Sequence, residues 1–304
     1  MANHFKIPLL WPFKMVPSTS SPNTTSDFDG AWACEQIKSF ERQVYYKQKW
    51  KKAETTTLVI ESSLAPTALK VYTREGSVAK SINWTAVYTA VNYVIYTLTF
   101  DISDLAEGVY YIYQRATFGS IDWKSISNPI HSKASWDNTL LFTFTNSFND
   151  QDVPWTLGIE MKFRCEAGIM DFNPERDRAA YVNQSRDVTN LSGIPYRSFK
   201  LYIGKAPGVA PWVIDILNRI FCCDSIDIDG KKYQSDDGSK WEVTRAKGYP
   251  LIGASIDIVE AVNSSSLEFA DTTPIAPGII VAYQQETNFF GPGSLVPVID
   301  VEIE

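Results

Sequence analysis

The sequence predicts a mainly β protein: two β-sandwich-like domains, one short amphipathic helix, and extended arms at both ends. Three observations carry this reading. Most of the chain is divided into short runs of β-branched and aromatic residues bounded by turn residues. One stretch, "PWVIDILNRIFCC" at 211–223, repeats its apolar residues at helical spacing. Segments rich in Ser, Pro, Thr and Gly occupy the two ends. With 304 residues, 44% of them hydrophobic, the chain has the material for about two domains with sizeable cores. An aromatic share of 13% suits strands and protein interfaces.

Residues 1–30 read as an N-terminal arm. The opening "MANHFKIPLLWPFKM" has a short apolar stretch, but two prolines interrupt it, Lys14 follows, and no small-residue cleavage pattern comes next. It therefore does not read as a signal peptide. The chain contains no run of ~18 apolar residues, so a soluble protein with no membrane partner is expected. The stretch 15–29, "MVPSTSSPNTTSDFD", is polar and reads as an extended linker.

Residues 31–128 read as a β-sandwich. "VYYKQKWKK", "TTTLVIE" and "ALKVYT" are its first strand-like runs. In the longer run 84–100, Tyr93, Ile95, Thr97 and Thr99 share one side, and Val94, Tyr96, Leu98 and Phe100 share the other. Large apolar groups on both faces place part of this strand between layers. Next comes "DISDLAEGVYYIYQRAT", where Leu105, Gly108 and Tyr110 match the corner that leads into strand F of immunoglobulin-like sandwiches. There a tyrosine hydroxyl bonds back to backbone just upstream. Two residues on, where antibody domains carry a cysteine, this chain has Ile112. The first domain is thus expected to be Ig-like without the bridge.

Residues 129–262 read as a second β-rich domain containing the helix near 211–223. Trp212, Val213, Ile216, Leu217, Ile220 and Phe221 form its apolar face, with Asp215, Asn218 and Arg219 turned away and Pro211 in the first turn. The charged stretch 171–190 reads as a long exposed loop. Residues 263–304 read as a C-terminal extension with one or two strands, able to pair with its own domain or with a neighbouring subunit.

The stretch "FCCDSIDIDGKKYQSDDG" at 221–238 resembles a metal site on first inspection. Aligned as a calcium loop with Gly230 at the sharp turn, it has Ser225 at the first ligand position and Asp236 at the last, and no helix follows. Cys222 and Cys223 have neither Cys-x-x-Cys spacing nor a nearby histidine, so a zinc site lacks ligands. Asp229-Gly230 and Asp237-Gly238 instead match tight hairpin turns. With Cys34 and Cys165, the cysteines read as buried small hydrophobes in a reducing compartment.

No nucleotide, phosphate-loop, serine-hydrolase or zinc-protease motif occurs, and the histidines are only His4 and His131. No catalytic, cofactor-binding or metal residue is assigned, and the chain is not read as an enzyme. The 35 acids leave a glycosidase-type carboxylate pair open in principle. Trp84, Trp123 and Trp136 are candidates for a sugar platform, against the plainer reading of core packing. The Asn-x-Ser/Thr sites at Asn23, Asn83, Asn183, Asn190 and Asn263 matter only in a secreted chain.

Charge is distributed unevenly. The net charge of −7 argues against nucleic acid as the main partner, while leaving room for a basic patch. Within 38–52 there are six bases (Lys38, Arg42, Lys47, Lys49, Lys51, Lys52) against Glu41 alone, whereas beyond Lys247 there are eight acids and no base. Solvated faces account for each end separately. The functional reading is a head-to-tail subunit contact, with Lys47, Lys49, Lys51 and Lys52 of one copy near Phe289, Phe290, Asp300, Glu302 and Glu304 of the next.

Whole segments also carry a resemblance. "YYKQKWKKAETTTLVIESSLAPTALKVY", "LAEGVYYIY", "NTLLFTFTNSFNDQDV", "IPYRSFKLYIG", "VAPWVIDILNRIFCCDSIDIDGKKY" and "DGSKWEVTRAKGYPLIG" resemble virion proteins of phages infecting Bacteroidetes, the crAss-like phages in particular. The resemblance spans about 45–262 and leaves out both ends. It implies a structural part of the short tail or neck: a ring below the portal, a hub or a distal muzzle, with a ring protein as first choice. It also implies a homo-oligomer of 6 or 12 copies, contacts with other tail and portal proteins, proximity to DNA in the tail channel, and a place in the virion after assembly in the host cytoplasm. The alternative, from a different class, is a carbohydrate-binding or adhesion module of a phage tail or bacterial surface.

Overall fold

The computed structural model describes residues 4–17, 46–118, 121–147, 152–182, 184–186, 188–204, 208–245 and 250–261. The chain divides into a compact unit, Met1–Asn263, and a second, Ser264–Glu304, which lies outside the described residues. Among the described residues it is mainly β, with multiple sheets and one α-helix.

The first sandwich has two facing sheets. One has the order β1 (Phe5–Lys6), β4 (Thr55–Ser62), β8 (Val94–Asp101), β7 (Thr85–Thr89), all antiparallel. The other is built around β9 (Gly108–Phe118). Tyr110 pairs with Ile130 on one side and Thr73 on the other, and Tyr113 pairs with Ile126 and with Lys70. Thus β10 (Ile121–Ser127) and β11 (Ile130–Lys133) form one edge interrupted at Pro129, with β5 (Leu69–Thr73) and β6 (Val78–Ile82) opposite. Along the interrupted edge, β2 (Met15–Pro17) pairs antiparallel with β10, and β3 (Gln48–Lys51) pairs parallel with β11. This arrangement is Ig-like.

The expected corner is present: the Tyr110 hydroxyl donates to the Ala106 carbonyl at 2.7 Å. Ile112, in the position of the missing cysteine, is fully buried among Leu58, Ile60, Phe100 and Trp50. Strand β8 lies between layers as its pattern implies. Leu98 and Phe100 enter the sandwich core, while Ile95 joins the core of the following β-rich part.

The N-terminal arm needs correction over residues 4–17. They supply β1 to one sheet and β2 to the other, and between them Trp11 and Phe13 are buried in the sandwich. Pro8 and Pro12 prevent one continuous strand, so the chain switches sheets. The Trp11 indole N–H is satisfied by the Val59 carbonyl at 2.7 Å, and Gln48 Nε2 donates to the Pro12 carbonyl. Burial of two large aromatic rings outweighs the entropy of ordering a short segment.

The second β-rich part closes on itself. Its strand order is β14 (Val188–Ile203), β13 (Met161–Val182), β12 (Thr139–Thr145), β15 (Ser225–Ile228), β16 (Lys231–Ser235), β18 (Ile252–Glu260), β17 (Glu242–Arg245). Because β14 also pairs with β18, the layers facing each other across the core belong to one continuous sheet. Phe142, Phe163, Leu201 and Ile256 fill that core, and helix α1 (Pro211–Ile220) adds Val213, Ile216, Leu217 and Ile220 to it. Asp215 and Asn218 face solvent, as the helical spacing requires.

The stretch 171–190, expected as a loop, is the outer part of a long hairpin. Strands β13 and β14 stay paired from Ala167–Ile203 out to Val182–Val188, with bulges between Met170 and Asn173 and between Ala179 and Ala180. From Pro174 outward the two strands pair only with each other among the described residues, over about 30 Å at ~3.3 Å per residue. A two-stranded ribbon has free edges on both sides, which accommodates Pro174 and Pro195. Asp171 to Pro174, Arg176 and Tyr181 are exposed, so no apolar period marks this part of the strand in the sequence.

Sandwich and barrel are joined through side chains. Arg164 on β13 pairs with Glu54, just ahead of β4, and the Thr56 hydroxyl accepts the Lys162 backbone N–H at 2.9 Å. Val59 and Leu10 pack into the barrel-side core.

Candidate functional site

The most unusual electrostatics lie where β3 runs parallel to β11. That register sets Lys49 beside His131 and Lys51 beside Lys133, four basic side chains on two adjacent strands. Like charges facing across a ladder are destabilising, so their surroundings must compensate. Trp136 is central to this. The Lys49 ammonium lies 4.6 Å and the Lys133 ammonium 4.7 Å from its ring centroid, both in cation–π contact. The indole N–H donates to the Trp50 carbonyl at 2.8 Å, fixing the ring, and the His131 ring meets it edge-on at 4.9 Å.

Glu166 supplies the counter-charge. It lies 3.4 Å from the Lys49 ammonium and accepts the Tyr46 hydroxyl at 2.5 Å. Burial pushes the Tyr46 phenol well up, and the Glu166 charge adds to it, so Tyr46 stays a neutral donor. Burial likewise pulls His131 below the usual imidazole range, reinforced by Lys49 and Lys133.

Of the predicted interface residues, Lys49 and Lys51 lie on β3, with Lys47 just before that strand and Lys52 just after it. Lys49 is largely engaged within its own chain by Glu166 and Trp136; Lys51 is exposed. Phe289, Phe290, Asp300, Glu302 and Glu304 lie outside the described residues. Sequence reading missed the contribution of His131, Lys133 and Trp136. "HSKASW" carries them all, but nothing local tells that β3 pairs there.

The tryptophans proposed as a platform separate. Trp84 stacks on Trp11 and donates to Gln114 at 3.0 Å, and Trp136 serves the lysines. Trp123, against Phe5, lines a pocket of about 210 Å³ with Trp11, Trp212, Met15, Ser125 and Asp215.

The aspartate-rich stretch forms turns. Asp229 and Gly230 both take positive φ between β15 and β16. Asp227 Oδ1 accepts the Gly230 N–H, and Asp229 Oδ1 accepts the Leu141 N–H at 2.9 Å. Cys222 and Cys223 lie just past α1; Cys222 is exposed, while burial pushes the Cys223 thiol up to about 12. His4 contacts Glu61 at 3.1 Å. Among the described residues, no cluster of His, Cys, Asp or Glu is arranged to hold a metal ion, and no helix is long and apolar enough to cross a membrane. No family model, curated protein or solved structure matches the chain.

Proposed function

We propose that this chain is a structural component of a phage virion, a ring protein of the tail or neck. In this reading it closes into a symmetric oligomer and links the portal to the distal tail. The observation that carries the reading is the projecting β13–β14 ribbon. An isolated two-stranded hairpin is marginal in water, yet this one extends well beyond its barrel, with Phe172 at its base and Tyr181 near its tip exposed. A ribbon of this kind gains stability when it lies against a neighbouring copy. The compact sandwich–barrel unit, the basic face and the segment resemblance support the same reading. So does the acidic C-terminal end, whose carboxylates complement a basic strand on the next subunit.

Native mass spectrometry of the full chain at low and moderate salt tests this. A closed assembly of six or twelve copies that loosens with salt is expected, and Lys51→Glu should weaken it further. A salt-independent monomer absent from virions overturns the reading. A second reading, a carbohydrate-binding or adhesion module, draws on the pocket lined by Trp11, Trp123 and Trp212, since indole faces offer flat apolar surface to sugar rings. Binding on a glycan array, lost in Trp123→Ala, favours it.

A further inference from the structure

Strand β7 is the end strand of its sheet, paired only with β8 among the described residues. All five of its residues, Thr85 to Thr89, are exposed, so neither face lies against a core. Val87 sits at a bulge in the β7–β8 ladder, Tyr88 follows, and Val91 just beyond is 91% exposed. Edge strands are ordinarily guarded by charge. Here no Asp, Glu, Lys or Arg occurs anywhere in 81–100, and the bulge is the single guard. A strand this apolar, with a free edge and both faces in water, lacks the surface that would stabilise it.

We propose that the free edge of β7 accepts residues 279–283 of a second copy, Ile279-Ile280-Val281-Ala282-Tyr283, as an added strand. The occupant follows from what the rest of the chain offers. In 18–45 the longest apolar run is the four residues "AWAC", and in 295–299 Pro297 interrupts the run and removes a ladder donor. Only 279–283 combines β-branched and aromatic residues, no charge and no proline. It sits within an uncharged stretch, 272–285, that matches the uncharged edge. Main-chain hydrogen bonds would supply affinity, and the alternating side chains would cover Val87 and Tyr88. The choice of a second copy as donor rests on the ring reading, in which the C-terminal segment of one subunit reaches the next.

The test uses the full chain with a photo-crosslinking benzoylphenylalanine in place of Tyr88, assembled from equal parts of light and isotope-heavy copies. The expected product is a light-to-heavy crosslink from position 88 to the glutamyl-endopeptidase peptide 269–286. Val87→Lys, at an exposed position, should abolish that crosslink and reduce the assembly. If crosslinks join 88 to 269–286 within one copy, or fall elsewhere, the inference is overturned. An assembly of six or twelve copies unaffected by Val87→Lys also overturns it while leaving the ring reading intact. A chain that stays monomeric overturns both.

Discussion

Arg164 and Glu54 form a buried ion pair between barrel and sandwich. The Arg164 Nε donates to both carboxylate oxygens of Glu54 at 2.9 and 3.0 Å, and the side chains are only 9% and 10% exposed. The Thr139 hydroxyl accepts a further Arg164 N–H at 2.7 Å. Removing one partner leaves the other charged and desolvated, at a cost of about 3–5 kcal/mol. Glu54→Ala and Arg164→Ala should each lower stability on that scale in urea unfolding, and the double variant should lose less than their sum. A single-variant loss under about 1 kcal/mol, typical of a surface pair, would contradict the buried assignment.

Tyr110→Phe removes the hydroxyl that binds the Ala106 carbonyl and keeps the buried ring. The expected loss is about 1 kcal/mol, the net value of one such bond. Equilibrium unfolding that shows no change would mean that the corner contributes shape alone.

His131 links stability to pH. Burial, then Lys49 and Lys133, hold its folded pKa below the unfolded value. The unfolded chain therefore binds the proton more tightly. The neutral imidazole's contribution is complete above about pH 6.5 and is lost as pH falls from there through the folded pKa. The unfolding midpoint of wild type should fall over that window more steeply than that of His131→Gln. Parallel profiles would remove His131 from the account.

Gly204 and Gly230 both have positive φ, +66° and +88°, but differ in what surrounds them. A Cβ at Gly204 would come within 2.8 Å of the Ile252 carbonyl oxygen and the Val209 nitrogen, whereas one at Gly230 meets nothing within 4 Å. Gly230→Ala should cost about 1–2 kcal/mol, the left-handed penalty alone. Gly204→Ala should cost clearly more, because backbone at the β14–α1 connection must shift. Thermal melts of the two variants give the comparison, and equal losses would argue against the close approach.

Much of the fold was legible locally. Helix α1 shows in the spacing of Val213, Ile216, Leu217 and Ile220, the corner in Leu105, Gly108 and Tyr110, and the tight turn in Asp229-Gly230. In each case a residue's own conformational preference or a short period carries the signal. Strand β8 announced its position between layers because both of its faces are apolar.

What only the tertiary structure decided depends on partners distant in sequence. Trp11 and Phe13 look like arm residues until the sandwich closes over them. In the outer β13–β14 ribbon, Asp171 to Pro174, Arg176 and Tyr181 are exposed, so its pairing leaves no apolar period. Closure of the barrel through β14 and β18 depends on backbone hydrogen bonds, which carry no side-chain code. The cluster of Lys49, Lys133, His131 and Trp136 exists because β3 lies parallel to β11, and Glu166 reaches it from a third strand. The sequence by itself determined which residues carry charge and which favour strands. Long-range pairing alone decided which of those charges share one site.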